Sequence, residues 1–230
     1  MYHQPALLHE CIEGLGINPS GVYADLTFGG GGHSREILAK LNADGRLLAF
    51  DQDEDAISNA IDDARFTLVN ENFRYLKNFL RLHKAFPVDG ILADLGISSH
   101  QIDTPERGFA TRFEGPLDMR MARNQGITAS DMVNTYPEEK LLSVFKLYGE
   151  ISNARQLAAK IVEARVKPIT TTGELKEAIK SCMPANYENK YQAQVFQAIR
   201  IEINDEMGAL QAMLKQCADA LKPGGRLVVI

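Results

Sequence analysis

The sequence is short of cysteine, of long apolar runs and of positive charge, and each shortage removes a class of protein. Its three cysteines, Cys11, Cys182 and Cys217, lie far apart and are odd in number. They match neither a disulfide framework nor zinc-ligand spacing, so reduced thiols in a cytoplasmic protein are expected. No stretch approaches the roughly 18 uninterrupted apolar residues of a spanning helix, and no membrane association is expected. The opening run, Met1 to Glu10, has no basic start leading into an apolar core, so no secretory signal is read. Lys and Arg number 25 against 30 Asp and Glu, a formal net charge of −5 that on its face argues against a nucleic-acid binder. No ligand cluster asks for a metal.

The charge is uneven. Residues 1–102 carry 8 Lys+Arg against 14 Asp+Glu, residues 103–195 carry 13 against 12, and residues 196–230 carry 4 against 4. The middle of the chain is thus the better place for an anionic partner.

Short apolar runs alternate with helical patterns over the first hundred residues. Val22–Thr27, Arg46–Asp51, Phe66–Val69 and Val88–Asp94 read as strands. Ser34 suits a cap for a helix through Leu41, and further helices are expected through 56–61 and 73–84. That rhythm predicts βαβ units and a parallel sheet covered on both faces. From Gln101 to about Tyr191 no strand is expected. Pro137 opens a helix through Phe145, residues 151–165 form another, and Thr171–Glu174 is a capping box before a third. A long helix is predicted over 192–221, then a fifth strand over Arg226–Ile230. The expected division is 1–102 with 192–230 as a cofactor-binding domain, and 103–191 as a helical insertion after strand four.

The chemistry-bearing residues gather at strand ends. Asp25-Leu-Thr-Phe-Gly29-Gly-Gly-Gly32-His33-Ser34 joins strand one to helix one, where glycine lets a ligand approach backbone N–H groups. Asp51 ends strand two, 22 residues beyond Gly29, where a carboxylate accepts from ribose hydroxyls. The dinucleotide fingerprint fails, because Ser34 stands at its third glycine. Asp25 would also repel a pyrophosphate but welcome a cationic amino-acid tail bearing a sulfonium. Asp-x-x-x-Gly-x-Gly followed by an acid after strand two resembles the S-adenosylmethionine-dependent methyltransferases. Asp94 closes strand four at the edge where reacting groups sit. The Asp/Asn/Ser-Pro-Pro-aromatic motif of many amino-group methyltransferases is absent there.

A narrower resemblance rests on Gly90-Ile-Leu-Ala-Asp94-Leu-Gly-Ile-Ser-Ser99-His-Gln-Ile-Asp103, Glu106-Arg-Gly-Phe109, Gly115–Met121 and Phe196–Glu206, with Gly29–Ser34. Together, from Tyr2-His3 onward, these resemble the bacterial methyltransferases of the MraW type, which modify the N4 amine of a cytosine in small-subunit (16S) ribosomal RNA. The resemblance implies a Rossmann-like class I methyltransferase sheet with a helical insertion domain. It implies S-adenosyl-L-methionine contacts at Gly31, Gly32, His33, Asp51, Phe73, Asp94 and Gln101. Phe73 can lie against the adenine face, and Gly31 and Gly32 offer N–H groups. Asp94 and the Ser98 hydroxyl are the acceptors able to orient the amine. Family members continue past this chain's last residue with a segment beginning Ser-Phe-His-Ser, so the sheet is expected to be cut at its fifth strand.

Substrate contacts are less defined. Arg107, Arg112, Arg120 and Arg123 can hold phosphates or pair with Glu106, Glu114 and Asp118. Arg200 and Asn204, four apart on one helix face, frame a cytosine pocket or tie the insertion to the sheet. Met119 and Met121 read as core. The expected partner is 16S ribosomal RNA in a small-subunit particle, and a homodimer is compatible with the sequence. A non-catalytic RNA-binding assembly factor and an NAD-dependent oxidoreductase are the rival readings. The second lacks a hydride-transfer constellation.

Overall fold

A computed structural model describes residues 5–230; Tyr2 and His3, which the resemblance includes, lie outside the described residues. The chain divides into two compact units, one running to His100 and resuming at Met207–Ile230, the other Gln101–Glu206.

The first unit is built on five strands: β1 Val22–Asp25, β2 Arg46–Phe50, β3 Phe66–Val69, β4 Val88–Ala93 and β5 Leu221–Val229. They lie in the order β3-β2-β1-β4-β5, all parallel. The near-continuous apolar runs of β2 and β4 arise because a parallel sheet is covered on both faces. Alternation then sorts the side chains. Ala24, Leu26, Leu48, Phe50, Ile91 and Ala93 pack with Leu76 and Leu80 of α3 (Leu76–Leu82), and with Met213, Cys217 and Ala220 of α10 (Glu206–Ala220). Tyr23, Leu47 and Leu92 point the other way, onto Cys11 and Leu15 of α1 (Leu8–Leu15) and Ile37 and Leu38 of α2 (Gly32–Lys40). Each such buried aliphatic or aromatic side chain contributes about 1.5–3 kcal/mol.

Local departures have local causes. Helix α2 begins at Gly32, so Ser34 lies inside it, where its hydroxyl donates to the buried Asp25 instead of capping. The helix expected through 56–61 is a 3-10 segment, Glu54–Asn59, capped by the Asp53 carboxylate. Strand β5 starts early: Leu221 pairs with Val88 and Arg226 with Gly90, so Lys222–Gly225 bulges from the ladder.

The second unit contains α5 (Ala129–Thr135), α6 (Glu138–Leu147), α7 (Ala154–Ala164), α8 (Thr172–Ile179) and α9 (Glu188–Ile203); α4, Ser99–Asp103, leads into it. Capping boxes at Thr128/Asp131 and Thr171/Glu174 start α5 and α8. Leu141, Phe145, Leu157, Ile161, Val195 and Ile199 are buried within it, as are Met119 and Met121. The single helix expected over 192–221 is two, because Asp205 takes a left-handed φ of 46° between α9 and α10. Asn-Asp pairs tolerate such a break. No helix among the described residues is long and apolar enough to cross a membrane.

Candidate cofactor-binding and active site

The chain leaves β1 for β2 and β3 on one side, then crosses to β4 and β5 on the other. The carboxyl edge between β1 and β4 is therefore a switch point, the place where sheets of this kind bind their ligands. Asp25 ends β1, Asp51 follows β2 and Asp94 follows β4, in registers that set Asp25 opposite Ala49 and Leu92.

The glycine loop is fastened at every turn. Phe28 N–H donates to the Phe50 carbonyl at 2.9 Å and Gly31 N–H to the Phe28 carbonyl at 2.7 Å. Asn59 Nδ2 donates to the Gly29 carbonyl at 3.1 Å, and Arg35 Nη1 to that of Gly30 at 2.6 Å. Gly31 has a φ of +76°, and a Cβ there would sit 2.8 Å from the Phe28 ring. Its role is conformational: its N–H, expected to face a ligand, closes the turn. A Cβ on Gly32 would lie 2.1 Å from Pro5 Cγ, so the glycine admits the N-terminal segment against the helix start. His33 is buried and its Nε2 lies 3.1 Å from the Ala6 carbonyl, which only accepts, so that nitrogen carries the proton.

Asp25 is fully buried, accepting from Ser34 Oγ at 2.6 Å and Thr27 N–H at 3.2 Å. Burial pushes its pKa up, against those hydrogen bonds and the nearby His33 charge, and Asp94 adds to the rise. Asp51 accepts from Gly29 N–H at 2.8 Å and Asp53 N–H at 2.9 Å. Burial nevertheless raises it to about 6. Each carboxylate oxygen of Asp51 keeps a further lone pair for a ribose hydroxyl. The Asp94 pKa is raised by burial, opposed by His33. Its backbone N–H donates to Thr27 Oγ1 at 2.7 Å, whereas no hydrogen bond to its carboxylate is found among the described residues.

Ser98 lies over the loop: a Cβ on Gly29 would meet its Cβ at 3.9 Å. Phe73 opens a 3-10 turn after β3, half-buried against the sheet. That turn is tied to the end of β2 by Asn70 Nδ2 on the Asp51 carbonyl at 2.9 Å and Asn72 Nδ2 on Gln52 Oε1 at 2.7 Å. His100 pairs with Asp55 at 3.2 Å, joining the residues after β4 to the 3-10 segment after β2. Gln101 is buried at the start of the second unit.

The four substrate candidates all lie in the second unit and are engaged there. Arg107 is 1% exposed and its Nη2 donates to the carbonyls of Arg120 at 2.9 Å and Met121 at 3.1 Å. It organises the 107–121 loop, and no guanidinium fork faces solvent. Arg120 grips Asp118 with two bonds of 2.9 and 2.8 Å. Arg200 grips Glu206 at 2.7 and 3.2 Å. Asn204 donates to the Met119 carbonyl at 2.9 Å and accepts from Met121 N–H at 2.7 Å, tying that loop to the end of α9. Arg112 pairs with Asp103, and Arg123 is exposed.

Thr27, Asn59, Asn70, Asn72 and the Asp55–His100 pair are site residues that sequence reasoning passed over. Asn70 and Asn72 had a signal: polar residues just past a strand at the edge where ligands bind. The others had none, since their partners lie 30 to 67 residues away.

The model of the MraW methylase family matches residues 1–230. The proteins named ribosomal RNA small subunit methyltransferase H from Flavobacterium johnsoniae and Bacteroides fragilis (strain YCH46) are 57% and 58% identical over 100% of this chain, which covers 76% of each. That of Christiangramia forsetii is 51% identical over the same shares. With the parallel sheet, the glycine loop and the strand-end acids in hand, these likenesses fix the lineage: the chain belongs to the MraW methylase family.

Proposed function

We propose that this protein is a ribosomal RNA small subunit methyltransferase that methylates the N4 amine of a cytosine in 16S RNA. Support comes from its relatives' shared name and from three acids set around one glycine loop. The observation that carries the reading is the Asp94 carboxylate. It is half-buried at the switch point, raised in pKa by burial, and accepts no hydrogen bond from any described residue.

The residues fit S-adenosylmethionine. Asp51 keeps lone pairs for the ribose, Phe73 offers an apolar face to an adenine, and the buried Asp25 favours a cationic tail. Gly32, His33 and Gln101 complete the proposed contacts. When bound, the cofactor supplies a methyl group already activated on a sulfonium. The chain's own work is orientation and exclusion of water. Cytosine N4 is a poor nucleophile because its lone pair is delocalised into the ring. Asp94 accepts a hydrogen bond from the amine, drawing the nitrogen toward a pyramidal geometry, and Ser98 is the second acceptor. Proton loss follows methyl transfer, so a raised carboxylate is a sufficient base. The cytosine reaches this site unstacked.

In this reading the sheet unit binds the cofactor and the helical unit recognises RNA in a small-subunit particle in the cytoplasm. Mass spectrometry of the target cytosine, on subunits incubated with and without the protein, reads the activity directly. Methylated cytosine is expected only with the protein. Asp94→Asn is expected to slow it by about 10²–10⁴-fold, leaving a measurable residual rate, while weakening S-adenosylhomocysteine binding far less. Turnover of free cytidine but not of subunits overturns the substrate assignment, and a fully active Asp94→Asn variant overturns the role of Asp94.

A further inference from the structure

Strands β1 and β4 run together up to Asp25 and Leu92, and Leu26 N–H still donates to the Leu92 carbonyl at 2.8 Å. One rung further the ladder changes character. In a parallel pair the next β4 donor, Asp94 N–H, would find a backbone carbonyl of β1. It finds a side chain instead: Thr27 Oγ1, at 2.7 Å. The backbone ladder stops here, where a hydroxyl replaces the last backbone acceptor.

The backbone that carries this hydroxyl is itself held. Thr27 N–H donates to Asp25 Oδ1 at 3.2 Å, and Asp25 Oδ2 accepts from Ser34 Oγ at 2.6 Å. On the other flank, Ile230 N–H donates to the Ala93 carbonyl at 3.0 Å and Leu95 N–H to the Ile230 carbonyl at 2.8 Å. Residues 93 and 95 are therefore pinned by the β5 side, and Asp94 N–H depends on Thr27. A β-branched residue suits the task, because its stiff χ1 fixes where the oxygen stands.

We propose that Thr27 is a positioning residue: its hydroxyl oxygen, accepting Asp94 N–H where the β1–β4 backbone ladder stops, sets the direction of the Asp94 carboxylate at the switch point. This rests on the role given to Asp94 above. Thr27→Val keeps the shape and removes the acceptor; Thr27→Ser keeps the acceptor.

The test is steady-state methyl transfer to small ribosomal subunits, read as kcat and as KM for S-adenosylmethionine, with thermal unfolding run alongside. Thr27→Val is expected to lower kcat by about tenfold or more with KM within about threefold, the signature of an interaction realised in the transition state. Thr27→Ser is expected to restore most of kcat. In an Asp94→Asn background, Thr27→Val is expected to cause no further loss, since both act through one carboxylate. An unchanged kcat in Thr27→Val, a Ser variant as impaired as Val, or an equal further loss in the Asp94→Asn background overturns the proposal. So does a rise in KM at constant kcat, which makes Thr27 a cofactor contact. A fully active Asp94→Asn variant overturns this inference and the role of Asp94 together; a strongly impaired one with an indifferent Thr27→Val overturns this inference alone.

Discussion

With Asp51 holding the cofactor ribose as proposed, affinity depends on acidity in a calculable way. Its pKa in the free protein is about 6, because burial outweighs the two backbone N–H groups it accepts from. A ribose hydroxyl donates to the ionised form and loses that acceptor when the carboxyl is protonated. If the ionised form alone is competent, the apparent Kd rises about 2-fold at pH 6 and about 11-fold at pH 5 relative to pH 8. Stability moves the other way. The folded chain holds this proton more tightly than the unfolded one, whose aspartate titrates at 3.8. Asp51's stabilising contribution is therefore complete below the unfolded value and lost as pH rises through about 6. The difference amounts to at most about 3 kcal/mol. Calorimetric titration with S-adenosylhomocysteine from pH 5 to 8, for the native protein and Asp51→Asn, measures the first effect. Thermal unfolding without and with ligand measures the second, and the ligand-induced rise in Tm should grow with pH. Asp25 and Asp94 are also raised, so the Asn variant is the decisive control. A Kd that is flat across the range, or an identical pH profile in Asp51→Asn, refutes the reasoning.

Gly31→Ala forces a side chain onto a φ of +76° and a Cβ to 2.8 Å from the Phe28 ring. A loss of about 1–2 kcal/mol in unfolding free energy is expected from the backbone alone, with weaker S-adenosylhomocysteine binding by calorimetry. Arg107→Met leaves the carbonyls of Arg120 and Met121 without their donor. It should destabilise by about 2 kcal/mol or more in urea titrations. A variant of native stability that binds RNA with a shallower salt dependence would instead make Arg107 a phosphate contact. Thr171→Ala removes the capping box of α8 and should cost about 1 kcal/mol, seen as a lower urea midpoint, with methyl transfer to subunits retained.

The strands were legible because their signals are local. Arg46–Asp51 and Phe66–Val69 read as short apolar runs bounded by turn residues, and they fold as strands over Arg46–Phe50 and Phe66–Val69. The Thr171–Glu174 box was equally plain, its two partners being three residues apart. What the sequence concealed was long-range. Ser34 has the chemistry of a cap, yet its hydroxyl turns to Asp25 because a buried carboxylate must find donors. The helix break at Asn204-Asp205 is invisible to periodicity, since Asn204 is recruited by the backbone of residues 119 and 121. Arginine clusters stayed ambiguous for the same reason. Composition cannot tell a solvated guanidinium from one that, like Arg107, is enclosed by its own loop's carbonyls.

The three buried cysteines give the protein a set of built-in reporters. Cys11 lies under the α1–α2 face of the sheet, Cys217 under the α3–α10 face, and Cys182 in the helical unit. Each thiol meets reagent only when its own layer opens, so site-resolved alkylation rates would read three local stabilities at once, with no engineered probe. Cofactor bound at the glycine loop should slow labelling of Cys11 and Cys217, whose unit carries the loop. Protection of Cys182 by the same ligand would then measure how far binding at the sheet is felt by the helices.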